Sequence, residues 1–242
     1  MERSHIPLAK WVLGFHLMNA SKKGMSAHQL HRMLGITYKS AWFMAMRIRE
    51  AMRDESPSAM GGPDKPVQAD ETYYGATSSR ATGHRRRRKE KAIVVGLVDQ
   101  TTGASRGFHV THATGDTIRD ILFTNVTRRS TLVSDESNLY RYAGKAFGKH
   151  ETVTHWKAEY VNKDGFTTNN VENFFGIFKK GLVGTYHFVS QKHLQRYLDE
   201  FTFRYTHRVG VGIDDGERAA LAIRGATGKR LTYRGPRSAT HA

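Results

Sequence analysis

Residues 91–100, KAIVVGLVDQ, hold an almost continuously apolar run in their middle, built largely from β-branched and other strand-forming residues. A run of this kind is a central strand covered on both faces, so the chain has to supply a layer above it and a layer below it. Neighbouring segments supply more strands. VQADETYYG, residues 67–75, alternates as a strand, and ASRGFHVTHA, residues 104–113, can pair as a third. Helical sequence follows at 115–124, then a short strand STLVSD and an extended piece around 151–156. Two helices complete the order: one at about 168–183, and SQKHLQRYLDEFTFRYTHR, which puts Leu194, Tyr197, Leu198, Phe201 and Tyr205 on one face. Three strands, a helix, a strand and further helices make an α/β class.

Upstream of the strands the pattern is helical. PLAKWVLGFHLMNA, residues 7–20, has apolar residues at helical spacing. After SKKG, Ser26 is positioned to cap a short helix ending near Leu34, Gly35 allows a tight turn, and Thr37 can cap a longer helix to about Met52. This is a helix-turn-helix pattern spanning an all-α segment, 1–56. RDESPSAMGGPDKP, residues 53–66, is polar and rich in Gly and Pro and reads as a linker. The α/β domain then runs over 66–209, and 210–242 forms a helical and basic tail in which Asp214 and Asp215 cap ERAALAIRG.

Charge narrows the partner. Lys and Arg number 38 against 22 Asp and Glu, giving +16 and a pI near 10.2, which favours a polyanion and nucleic acid first. No apolar run approaches the ~20 residues needed to cross a bilayer, and no signal-peptide layout opens the chain, so a soluble, cytoplasmic protein associated with DNA is expected. With 0 Cys there is no thiolate zinc site and no cysteine nucleophile. Any metal binds through oxygen or imidazole. His150, Glu151 and His155 lack a further partner at ligand spacing, so a zinc site is not expected there.

Three carboxylates stand out. Asp70 sits inside the first strand, where Asp is depleted. Asp135 follows the apolar residues Leu132 and Val133 at a strand's C-terminal end, where α/β sheets place ligands. Glu172 lies on the helix of TTNNVENFFGIFKKGLVGTYH. At about 100° per residue, Val171, Phe174, Phe175, Phe178 and Leu182 share an apolar arc, while Asn169, Glu172, Gly176 and Lys179 share another. Two strand-borne aspartates and a helix-borne glutamate can converge on a pair of hard cations, Mg²⁺ or Mn²⁺, of the kind that serve phosphoryl transfer. Lys179, two turns beyond Glu172, is then available to hold a DNA phosphate.

ADETYYG, VSDESNLY, TNNVENFFGIFKKGLVGTYHFVS and HLQRYLDEFTFRYTHR resemble, in order, the catalytic blocks of ISXO-like insertion-sequence transposases. Those belong to the DDE superfamily, with a ribonuclease-H-like mixed sheet flanked by helices. The resemblance spans nearly the whole chain, including KKGMSAHQLHRMLGITYKSAWFMAMRIREAM. It implies Asp70 and Asp135 as the first two metal ligands, Glu172 as the third acidic position and Lys179 as the basic residue after it. Relatives often begin with a cysteine zinc ribbon, which these residues lack, and some use an asparagine near the third acidic position. Asn169 is therefore a rival to Glu172, ranked second because an anionic oxygen binds a hard cation better than an amide oxygen.

The implied activity is DNA cleavage and strand transfer at element ends, by a homo-oligomer on DNA. A metal-dependent nuclease on the same core, or an inactive DNA-binding remnant, are the alternatives. Lys39 and Arg47 on the second helix of the helix-turn-helix, Lys179 and Lys180, and the run Arg85, Arg86, Arg87, Arg88 are the expected DNA contacts. Neutralising the four arginines is expected to flatten the salt dependence of DNA affinity by roughly one unit of log–log slope per lost phosphate contact, with sequence preference unchanged. Fluorescence anisotropy across a salt series measures it, and an unchanged slope would make the run a solvated loop.

Overall fold

The computed structural model describes residues 4–75, 91–153 and 165–229. The run Arg85–Arg88 and His155 lie outside the described residues. Five strands form one sheet in the order β3-β2-β1-β4-β5: β1 (Pro66–Tyr74), β2 (Ala92–Asp99), β3 (Ser105–Val110), β4 (Thr131–Asp135) and β5 (Lys149–Val153). The first three pair antiparallel, and β4 and β5 add in parallel beyond β1. This is the ribonuclease-H-like mixed sheet that the resemblance implies.

β2 has a covered layer on each side, as its apolar run requires. Val94 and Val98 face α6 (Asn169–Gly181) and α7 (Gln191–Thr206), in a core with Val171, Phe174, Phe175, Phe178, Leu194, Leu198 and Phe201. Val95 and Leu97 face the other way, onto Ile118 and Leu122 of α4 (Gly115–Asn125) and Tyr140 of α5 (Asn138–Gly144). Alternate residues of one strand thus feed two cores. The apolar arc is buried throughout, with Val171, Phe174, Phe175 and Phe178 on α6 and Leu182 just past its end. The helix α5 directly follows Asp135 and is capped by Ser137, whose side chain accepts from Leu139 N; at 7 residues it is too short to leave a periodic signal.

The segment 53–66 is tied to the core at several points: Gly61 N donates to Asp99 Oδ2 (3.0 Å), Gly62 N to Ser130 Oγ (3.0 Å) and Arg106 to the Ser58 carbonyl. Met60 is buried, and it bridges Val126 through its N–H to Asn125 O (2.8 Å) and its carbonyl from Thr127 N (2.9 Å). Met60 seats the linker on the α4 end of the core, and the polar bonds on either side of it hold the neighbouring residues.

The N-terminal helices are α1 (Leu8–Ala20), α2 (Ala27–Leu34) and α3 (Tyr38–Met52). Ser26 and Thr37 cap α2 and α3, accepting from Gln29 N and Ser40 N, and Gly35 adopts the left-handed conformation between them (φ 57°). Together with α8 (Asp215–Arg224), which contributes Ala222 and Ile223, they share a core of Trp11, Phe15, Leu30, Met44 and Ile48. The opposite side of α3 docks on α7. Arg49 Nε donates to Glu200 Oε2 at 2.7 Å, with side chains 3% and 0% exposed. Glu200 Oε1 accepts from Tyr186 OH (2.7 Å) and meets Arg204 (3.0 Å), and Arg49 lies over the Tyr197 ring at 4.0 Å. Burial opposes the Arg49 charge, yet Glu200, helped by Tyr186 and Tyr197, holds the guanidinium above its ordinary value. Tyr186 OH also accepts from Met25 N (3.2 Å), and Arg204 reaches the Ser21 carbonyl, so the α1–α2 connection joins the same network.

Removing Glu200 leaves two buried guanidinium groups without their shared anion. Glu200→Ala is expected to cost about 3–5 kcal/mol of unfolding free energy, because an uncompensated buried charge is expensive. Urea denaturation reads it, and a loss below about 1 kcal/mol, the level of an exposed pair, would show that the network contributes little.

Candidate active site

The site is built at the meeting of β1, β4 and the first turn of α6. Gln68 of β1 pairs with Val133 of β4 in parallel, so continuing the register by two residues sets Asp70 beside Asp135 on the same face of the sheet. Asp70 Oδ1 accepts from Glu71 N (2.7 Å), and Asp135 Oδ1 accepts from Ser137 N (3.0 Å) at the start of α5. Glu172, on the exposed arc of α6, accepts from Thr168 Oγ1 at 2.7 Å through Oε1. Each carboxylate is therefore oriented by a donor close in sequence.

Asp70 senses the other two. Burial and then the neighbouring Asp135 push the Asp70 carboxyl up to about 7, with further repulsion from Glu71 and Glu172, while the Glu71 N–H favours the anion. Glu71 points to the opposite face, where Tyr140 OH donates to Oε2 at 2.9 Å. Crowded carboxylates with oxygen-only donors suit a hard divalent cation. Among the described residues, however, no group of three or more His, Cys, Asp or Glu is set closely enough to enclose one ion. Asp70 and Asp135 form the near pair, and Glu172 is the weakest of the three repulsions on Asp70. The donor set fits the metal in chemistry and charge, with the third carboxylate standing off.

Position on α6 comes from residues that the sequence reading did not single out. The first N–H groups of a helix need acceptors, and Thr168 supplies no side-chain cap. Gln68 does so from the neighbouring strand, its Oε1 accepting from Asn170 N (3.0 Å) and Val171 N (3.1 Å). Tyr205 OH of α7 adds a bond to Asn170 O at 2.9 Å. Gln68 lies two residues before Asp70 and faces the same side, so one strand carries both a candidate ligand and the cap of the helix bearing another. Across the sheet from Asp70 come Gly96 on β2 and Gly107 on β3, in register. A Cβ at Gly96 would stand 2.7 Å from Phe175 Cζ and 3.1 Å from Val171 Cγ2; one at Gly107 would stand 3.0 Å from Leu198 Cδ2. Missing side chains let α6 and α7 sit close on the sheet. A glycine inside an apolar strand is the signal that marks such an approach.

The other expected residues lie on α6 and α3. Asn169 is exposed, three residues before Glu172 on the same arc. Lys179 is exposed on that arc about 10 Å along the axis from Glu172, and Lys180 is exposed beside it. Both sit in the last turn, where a cation also suits the helix dipole. Lys39 is exposed in the first turn of α3, and the Arg47 guanidinium lies 4.7 Å from the Phe43 ring and 6.0 Å from that of Trp11. Gly96→Ala is expected to lower stability by about 1–3 kcal/mol through overpacking against Phe175. Adding Phe175→Leu is expected to recover part of that loss, as read from denaturant midpoints; equal stability of Gly96→Ala and the wild type would mean α6 is free to lift.

Comparison with known proteins bears on this arrangement. Among solved structures, the chain is similar to the HTLV-2 integrase catalytic core domain in complex with magnesium (dimeric form), at 14% identity and a TM-score of 0.36, covering 58% of this chain and 84% of that one. The BIV integrase catalytic core domain is similar at 15% identity and a TM-score of 0.34, covering 57% and 81%. Neither likeness is close enough to add to what the sheet order shows. No curated protein matches. Residues 61–206, more than half of the chain and all five strands with α4 to α7, match the ISXO2-like transposase domain, and the chain belongs to that family.

Proposed function

We propose that this chain is a DNA transposase of an insertion sequence, cutting DNA at the element's ends and joining the freed 3′-hydroxyl to target DNA. The observation that carries the reading is the facing of Asp70 and Asp135 from adjacent parallel strands toward the helix of Glu172, with Asp70 held near 7 by burial and like charge. A packed sheet has no structural use for that arrangement, because crowding carboxylates costs stability. Membership of a transposase family supplies the substrate class, DNA, and the net charge of +16 agrees with it. Among the described residues, no helix is long and apolar enough to cross a membrane.

In this reading Asp70, Asp135 and Glu172 hold two Mg²⁺ or Mn²⁺ ions, with Asn169 as the alternative third oxygen. Such ions, when bound, stabilise charge on the attacking and leaving oxygens of an in-line displacement at phosphorus. The protein's part is orientation. Ser137 and Glu71 N–H groups fix the two aspartates, Thr168 fixes Glu172, and Gln68 fixes the helix start. Lys179 and Lys180 take DNA phosphates along the exposed arc. The α2–α3 pair, through Lys39 and Arg47, and Arg85, Arg86, Arg87 and Arg88 add further contacts, chiefly to the backbone. Two element ends have to be brought together, so the active species is a homo-oligomer on DNA.

Asp70→Asn, Asp135→Asn and Glu172→Gln are each expected to abolish strand transfer and to remove the rise in melting temperature that Mn²⁺ gives the wild type. In chelator, Asp70→Asn is expected to melt no lower than the wild type, since the amide relieves repulsion. An active Glu172→Gln beside a dead Asn169→Ala would transfer the third position to Asn169. Metal-dependent cleavage without joined products would assign a nuclease, and DNA binding with neither would assign an inactive remnant.

A further inference from the structure

The ladder between β1 and β4 stops short of the two aspartates. Pairing covers Pro66–Gln68 with Thr131–Val133, so Asp70 and Asp135 each lie two residues beyond the last paired position. At Asp70 the strand β1 is held by β2 through Gly96, and at Asp135 the strand β4 is held by β5 through Val153. The ladder thus joins each aspartate to an outer neighbour but not to the other, while their like charges repel.

A second tie crosses this gap on the opposite face of the sheet. Glu71 follows Asp70 and continues the row of Val67 and Ala69, which pack in one core with Tyr140 of α5. Tyr140 is fully buried, and its hydroxyl donates to Glu71 Oε2 at 2.9 Å. The start of α5 in turn holds the second aspartate, because Ser137 N donates to Asp135 Oδ1 at 3.0 Å. Asp70, Glu71, Tyr140, the first turn of α5 and Asp135 therefore form one linked path. Burial, then Glu71, and more weakly Asp70 and Asp135 hold the Tyr140 hydroxyl well above its ordinary value, so it remains a donor.

Core packing alone does not call for this pair. A valine at 71 and a phenylalanine at 140 would continue the apolar row with no carboxylate or hydroxyl to desolvate. No cation pairs with Glu71 among the described residues, and burial holds its carboxyl above the usual range.

We propose that Glu71 and Tyr140 are positioning residues for the metal site, a strut that keeps the Asp70 and Asp135 carboxylates at the separation a divalent ion needs. Neither is a ligand, since Glu71 faces away from Asp70 across the sheet. The inference rests on the reading of Asp70 and Asp135 as metal ligands.

The test measures Mn²⁺ binding to the full chain without DNA, by electron paramagnetic resonance of the free ion, beside thermal melts in chelator. Binding is read well below the melting transition, where a change in stability alone does not move it. The double variant Glu71→Val/Tyr140→Phe removes both partners together. It is expected to melt no lower than the wild type in chelator and yet to bind Mn²⁺ about tenfold or more weakly, the usual effect of losing a group that orients a ligand. Glu71→Gln keeps an acceptor for the Tyr140 hydroxyl and is expected to retain near wild-type affinity. Asp70→Asn, the control for the ligands themselves, is expected to lose binding. If the double variant does not fold, Tyr140→Phe decides by the same loss of affinity. Wild-type affinity in the strut variant beside a loss in Asp70→Asn overturns the strut and leaves the metal reading intact. A loss in Glu71→Gln as large as that in the double variant also overturns it, because the charge of Glu71 rather than its bond would then hold the ion. No saturable Mn²⁺ binding in the wild type, or unchanged binding in Asp70→Asn, overturns the metal reading and the strut with it.

Discussion

The seating of α6 on the sheet is the contact on which the rest of the site depends. Val171, Phe174, Phe175, Phe178 and Leu182 are buried together, and each such side chain contributes about 1.5–3 kcal/mol relative to exposure. That attraction is non-directional, so by itself it would let the helix slide or rotate. Direction comes from two smaller features. Gly96 and Gly107 set how near the helices can come, and the Gln68 amide sets where α6 begins. Hydrophobic burial supplies the force, and a missing side chain and one hydrogen-bonding residue supply the coordinates.

The same packing holds together groups that repel. Asp70 is half-buried beside Asp135, with Glu71 on the far face also held above its usual carboxylate range, by burial first and by Asp135 as well, against its bond from Tyr140. A sheet stabilised only locally would relax by turning one of these side chains to water. Here β1 is central, paired with β2 from Val67 to Tyr74 and with β4 from Pro66 to Gln68. Rigidity of the strand preserves the crowding.

Much of this could be read from the chain. The doubly covered β2, the capped α2 and α3 and the two arcs of α6 follow from periodicity and capping chemistry, which are local. Asp70 and Asp135 were also legible, because an acid within or just after an apolar strand is out of place. What stayed hidden is tertiary. Gln68 looks like an ordinary polar strand residue until α6 is laid over it, and Gly96 marks a close approach without saying to what. Glu200 reads as one more charge on a helix of alternating polarity; only the docking of α3 reveals it as buried. The β1–β4 register joins residues some sixty-five positions apart, and no pattern within either strand specifies it.

The ion network around Glu200 has a consequence for how such chains diversify. Helical modules joined by a flexible tether can be exchanged between proteins as cassettes. In this chain α3 shares a buried anion with α7, its other side packs with α8 from beyond the sheet and α7, and the α1–α2 connection is fastened to Tyr186 and Arg204. A graft cut at residues 53–66 would therefore strand a carboxylate on one side and a guanidinium on the other. The smallest inheritable unit is the helices together with the core that carries Glu200, so the N-terminal surface would have to change by substitution on its exposed residues rather than by exchange of the module.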